Sequence, residues 1–234
     1  MIRAAGLLAA GWLTLSAAQA GIFAPPESCT LEMTVQYRGC AVGQHYRCSN
    51  DAPGDQWVLY YDTDGARFMS RIDKETRWME STNLRSGLRD ELEPGAKDDA
   101  SFSTLIGTGR DDFDFWTRSN SGERLHNIGE DRLTGESTMI DGVELELTEF
   151  ELSVFAEDGK ELIRSKGRQF ISREHGRFYG GVETAADWTG ESREDNDSPV
   201  TFAFPGEPGF GSTEPVFDCD LQMVMRLPAE GASS

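Results

Sequence analysis

The sequence predicts a mainly β protein: a single curved antiparallel sheet, or an open or half β-barrel, with one or two short helices. Three observations carry this. Residues 147–170, LTEFELSVFAEDGKELIRSKGRQF, alternate apolar with charged residues on both sides of an Asp-Gly pair, the period of two that a half-buried strand requires. A second pair, Asp64-Gly65, sits inside another alternating run. Helical spacing shows in one stretch alone, Thr82–Leu92, where Leu84, Leu88 and Leu92 recur every four residues before Glu93-Pro94-Gly95.

The chain has 234 residues and opens MIRAAGLLAAGWLTLSAAQA. One basic residue, an apolar run and small residues at Ala18 and Ala20 read as a secretory leader over residues 1–20. Residues 21–234 then form one exported β domain, with no linker that would split it. No run reaches the roughly 20 apolar residues of a membrane span, and Gly21 rather than cysteine follows the expected cut, so no membrane anchor is expected and the location is periplasmic or secreted.

The full chain carries 22 Lys+Arg against 41 Asp+Glu, a formal charge of −19. Such a field repels phosphate backbones and excludes nucleic acid as a partner class.

The first strand is expected at Thr30–Tyr37, with Cys29, Leu31, Met33, Val35 and Tyr37 on one face. Trp57–Ile72 reads as a hairpin on Asp64-Gly65, in which Asp62 opposes Arg67 and Trp57 opposes Ile72. A short turn is expected near Ser101–Ile106 and a strand at Asp112–Arg118. The hairpin on Asp158-Gly159 fixes a register in which Ser153 faces Arg164, Glu151 faces Lys166 and Glu149 faces Arg168. Its charged face is thereby self-neutralised, and its other face is apolar. The apolar residues are odd-numbered before Thr148-Glu149 and even-numbered after it, which predicts a β-bulge there. Thr201–Phe204 and Val216–Leu227 complete the strands, the last placing Cys219, Met223 and Met225 on one face. Between them FPGEPGFGSTEP, residues 204–215, is a long connection of the kind that can cover a cavity mouth, and ESREDND, residues 191–197, is an acidic loop.

Four cysteines in an oxidising compartment predict two disulfides. Inward placement of Cys29 and Cys219 favours Cys29–Cys219 with Cys40–Cys48, the latter closing a short loop-like segment. No Cys-x-x-Cys pair is present, and His45, His126 and His175 stand singly, so no metal site is expected. Motifs for a nucleophile elbow, a phosphate-cradling loop or a zinc protease helix are also missing, and with them any expected catalytic residue or cofactor.

The run from Leu133-Thr-Gly-Glu, through Ile140-Asp-Gly-Val143 and Asp158-Gly159-Lys160, back to Phe170-Ile171-Ser172 resembles the half-barrel hairpins of the periplasmic lipoprotein-carrier and receptor superfamily. The resemblance covers about forty residues. It implies an incomplete antiparallel barrel wrapped around helices, with an apolar inner face that takes acyl chains. The chain departs from the pattern in its cysteines and in having little helix for a plug.

Three functions of different class follow. The first is a carrier of an apolar or amphiphilic ligand, such as a lipid, in the cell envelope, lined by the inward set Met33, Val35, Phe113, Phe115, Met223 and Met225. The alternative is a structural or assembly protein acting through an envelope protein partner. A hydrolase comes third, since no nucleophile or metal constellation is visible.

Overall fold

The computed structural model describes residues 21–220. The expected leader at residues 1–20 and the predicted lining residues Met223 and Met225 lie outside the described residues. Among the described residues, thirteen strands form one open antiparallel sheet. In chain order they are β1 Cys29–Tyr37, β2 Ala41–Cys48, β3 Gln56–Asp62, β4 Gly65–Ile72, β5 Trp78–Asn83, β6 Arg89–Leu92, β7 Arg110–Ser119, β8 Arg124–Ile140, β9 Val143–Ala156, β10 Glu161–Ser172, β11 Arg177–Asp187, β12 Ser192–Asn196 and β13 Pro199–Ala203. A helix, α1, spans Phe102–Thr108. Spatial order follows chain order from β12 back to β1, with β13 added beyond β1. β12 and β13 therefore lie on opposite edges, yet only Asp197 and Ser198 separate them in the chain. Asp197 donates its N–H to Gly181 beside β12, and Ser198 accepts from Arg38 beside β13.

How the edges meet follows from register. Residues paired across an antiparallel ladder share a face, so Met33, His45, Val58 and Ser70 form one row on one face of β1–β4. On the far side of the sheet, Asp111, Asp131, Phe150, Gly167 and Glu183 form a row that faces the same interior. The main core, however, packs Met33, Val35 and Tyr37 of β1 against Val143, Leu145, Tyr179 and Phe202, with Phe170 beside them. Phe170 and Tyr179 are paired and face away from the interior that Gln169 and Phe178 line. The inner face of β1 thus lies on the outer face of β9–β11. The sheet is rolled, with one end overlapping the other, rather than closed edge to edge. The segment 170–179 is covered on both sides: Phe170 and Tyr179 in the main core, and Ile171 and Phe178 against Phe102 and Leu105 of α1.

This rolling explains the apolar phase change in β9. The β9–β10 ladder runs without interruption through Glu149↔Arg168, Thr148↔Gln169 and Leu147↔Phe170, so the bulge expected at Thr148-Glu149 is not there. Val143 and Leu145 bury one face against β1, whereas Thr148, Phe150 and Leu152 bury the other toward the interior. The irregularity lies in the partner strand, between Leu133 and Ser137 of β8.

Four further expectations are corrected. Thr82–Leu92 is the β5–β6 hairpin, because the Asn83 side chain accepts from the N–H groups of Arg85 and Ser86 and Gly87 takes φ 73°. Local turn chemistry overrides the leucine spacing. In the β3–β4 hairpin Asp62 faces Gly65 and Tyr61 faces Ala66, so the two-residue tip is Thr63-Asp64, one position earlier than expected, with Asp62 accepting the N–H of Asp64; Tyr60 then faces Phe68, which leaves Arg67 out of the ladder and puts Trp57 opposite Arg71 rather than Ile72. ESREDND is not a loop but carries the exposed edge strand β12. Val216–Asp220, the described part of the expected last strand, contains no strand.

The disulfides are Cys29–Cys48 and Cys40–Cys219, which overturns the expected pairing. The segment from Cys40 to Cys48 is not a loop but β2, and it returns antiparallel to β1 so that Cys29 stands directly opposite Cys48. Cys40 occupies the turn at φ 56°, and its N–H donates to Phe217, which brings Cys219 alongside. The 204–215 connection covers the outer face of β1 and β2 rather than a mouth. Gln44 donates to Ser212, Gly211 donates to Thr34, and Gln36 donates to Glu214.

Candidate functional cavity

Inside the roll lies a cavity of about 340 Å3. Its apolar wall comes from Val58 of β3, Phe113 and Phe115 of β7, Phe150 and Leu152 of β9, and Phe178 of β11. These residues point inward because each occupies an alternate position of its strand. Gly129, on the same row as Phe113 and Leu152, lets the Phe113 ring lie over its backbone: a Cβ there would stand 2.6 Å from that ring. Of the predicted lining set, Phe113 and Phe115 line this cavity, while Met33 and Val35 sit in the close-packed core between the overlapping ends of the sheet.

Sequence reasoning missed the polar residues of the wall. Asp131 stands across the β7–β8 ladder from Asp111, and Gln169 donates to Asp131 at 3.3 Å. Burial, followed by the Asp111 and Glu130 charges, pushes the Asp131 carboxyl up to about 7. Asp111 is also raised, chiefly by burial, although it accepts the N–H of Ser101 at the start of α1. Burial beside a wall of phenyl rings thus favours the neutral form of the Asp131 carboxyl.

Arg177 closes another side of the cavity. It is 4% exposed, and its Nε has no hydrogen-bond partner among the described residues. Nearby, His45 is fully buried, accepts or donates one hydrogen bond with Tyr37 at 2.9 Å, and leaves Nδ1 without a partner. Burial, then the Arg177 charge, holds His45 well below the usual imidazole range. His175 is lowered too, mainly by burial, and bonds the Tyr179 hydroxyl at 2.7 Å. His126 belongs elsewhere, stacked on Trp116 and bonded to Asp114.

A second cavity of about 480 Å3 shares Tyr60 with the first and is bounded by Asp62, Arg67, Arg85 and Asp197. Asp62 and Arg85 are paired there at 2.6 Å. Tyr60 therefore stands between an apolar chamber and a charged one. No triad of a nucleophile, base and orienting group converges in either, and no cluster of three metal-ligating side chains occurs among the described residues.

Alternation makes inward phenylalanines legible, but a lone aspartate or arginine at an inward position reads as solvent-facing unless the strand register is known. No helix of the described residues is long and apolar enough to cross a membrane. No protein-family model matches the chain, and neither a curated protein nor a solved structure matches it.

Proposed function

We propose that this protein is a non-catalytic carrier of an apolar or amphiphilic ligand in the cell envelope, periplasmic or secreted. The observation that carries the reading is the phenylalanine-walled cavity of about 340 Å3 inside the rolled sheet. In a small barrel the interior side chains fill the space; here the close-packed core lies between the overlapping ends of the sheet and leaves the chamber beside it open. Its volume falls at the lower end of the range for small-ligand sites, roughly 300–1,000 Å3. Two disulfides agree with an oxidising, extracytoplasmic compartment.

The test fills the chamber. Leu152→Trp adds an indole to the wall and is expected to keep the thermal transition within a few degrees of the parent while abolishing uptake of a fluorescent fatty acid. Native mass spectrometry of the parent before and after organic extraction should show a bound mass that is lost. A parent that takes up no probe and carries no extractable ligand would remove the carrier reading and leave a domain that works through protein partners.

A further inference from the structure

Arg177 poses a physical problem inside the proposed carrier site. A guanidinium remains charged in any protein environment, and a buried charge is strongly unfavourable unless it is paired. Arg177 is nearly fully buried, and no described carboxylate lies within ion-pair distance of it. Its contacts are weak: Nη1 reaches Gln56 Oε1 at 3.5 Å, and its Cζ lies 5.6 Å from the centre of the Tyr179 ring. Two other cations around the chambers are already committed, and Arg67 belongs to the charged second chamber, beside Asp62 and Asp197. Arg77 is paired with Asp73 and Asp99, and Arg85 with Asp62.

The surroundings hold Arg177 in place without neutralising it. Gln56 donates its amide to the carbonyls of His175 and Gly176, at 3.1 and 2.9 Å, which fixes its Oε1 on the arginine. The paired β10 and β11 strands on either side of that turn are packed on both faces. The result is an anchored guanidinium on the wall of a cavity lined by both phenylalanines and carboxylates, its buried Nε–H without a partner among the described residues.

We propose, resting on the carrier reading, that Arg177 binds the carboxylate of a single-chain apolar acid whose hydrocarbon lies against Phe113, Phe150 and Leu152. A carboxylate matches the planar fork of the guanidinium and supplies one compensating charge. A phosphate dianion is disfavoured, since Asp131 and Glu183 share the chamber and two further negative charges would oppose them. The volume suits one chain rather than a diacyl lipid.

The experiment compares dodecanoate with dodecan-1-ol, which has the same chain and no charge, by titration calorimetry on the full exported protein. The parent is expected to bind the acid at least tenfold more tightly than the alcohol. In Arg177→Gln this preference should vanish while alcohol affinity stays within about twofold, so alcohol binding also reports a folded variant. Independently of any variant, 13C NMR of carboxyl-labelled dodecanoate bound to the parent should show the group still ionised at least one pH unit below its free midpoint. Equal binding of acid and alcohol by the parent, or an unshifted carboxyl titration, would overturn the head-group assignment and leave the carrier reading intact. Binding of neither ligand would remove both.

Discussion

Asp131 carries a pH dependence that one substitution can isolate. Its folded carboxyl is raised to about 7, first by burial and then by Asp111 and Glu130, whereas the unfolded chain titrates near the ordinary carboxylate value of about 4. A raised carboxyl favours the folded state fully below the unfolded value, and that contribution is lost as pH rises through the folded one. Stability should therefore fall between about pH 4 and 8. Asparagine keeps the shape and the acceptor for Gln169 but cannot ionise. Asp131→Asn is expected to match the parent near pH 4.5 and to exceed it by about 1–3 kcal/mol at pH 8, read from urea unfolding at the two pH values. A parent and variant that differ equally at both would show that ionisation of this carboxyl has no part in the balance. The sequence around Asp131, Gly129-Glu130-Asp131-Arg132, gives no sign of this, because only the Asp111↔Asp131 pairing brings the second acid close.

The β9–β10 hairpin shows what short-range pattern determines at the level of the element. All three charged-face pairs expected from Asp158-Gly159 occur: Ser153↔Arg164, Glu151↔Lys166 and Glu149↔Arg168. Only the last forms an ion pair, at 3.5 Å with both side chains more than half exposed, whereas Arg164 turns instead to Glu161. Solvent screens such a contact, so a double-mutant cycle on Glu149→Ala and Arg168→Ala should give a coupling of about 0.2–1 kcal/mol that fades in high salt. A larger coupling, unaffected by salt, would mean the pair is tied into something the ladder does not show. Register here was legible since turn chemistry and alternation agree. At Thr82–Leu92 three leucines at helical spacing mask the turn residues Asn83 and Gly87, and at Ala41–Cys48 the residues Gly43, Gln44 and His45 have the composition of a loop until the 204–215 connection covers the outer face of the strand. On the exposed edge strand β12, Arg193, Glu194 and Asp195 place charge along the open hydrogen-bonding row, a pattern that discourages pairing with another chain.

At the scale of the molecule, the rolled sheet has an overlap that local pattern cannot announce: Phe170 and Ile171 are equally apolar neighbours, and only the overlap of β1 on β9–β11 gives each a different core. The mainly β class and curvature were readable from alternation, whereas the overlap depends on contacts between residues more than a hundred positions apart. The two disulfides act on this architecture unequally. Cys29–Cys48 staples a hairpin already held by its ladder and closes a separation of 19 residues, while Cys40–Cys219 spans 179 and ties the end of the described chain to the β1–β2 turn. Arg38 pairs with Asp218 at 3.2 Å beside it. Loop-closure entropy of the unfolded chain grows with the logarithm of loop length, so the long link should stabilise more than the short one by about 2 kcal/mol. The double variants Cys29→Ser/Cys48→Ser and Cys40→Ser/Cys219→Ser, compared by urea unfolding, are expected to differ in that order, and the denatured, unreduced parent should show no reactive thiol. If the short link proves the more important, the β1–β2 hairpin depends on its staple and the overlap holds without the long one, and the roll is then maintained by the core around Val35, Leu145 and Tyr179 rather than by the covalent tie.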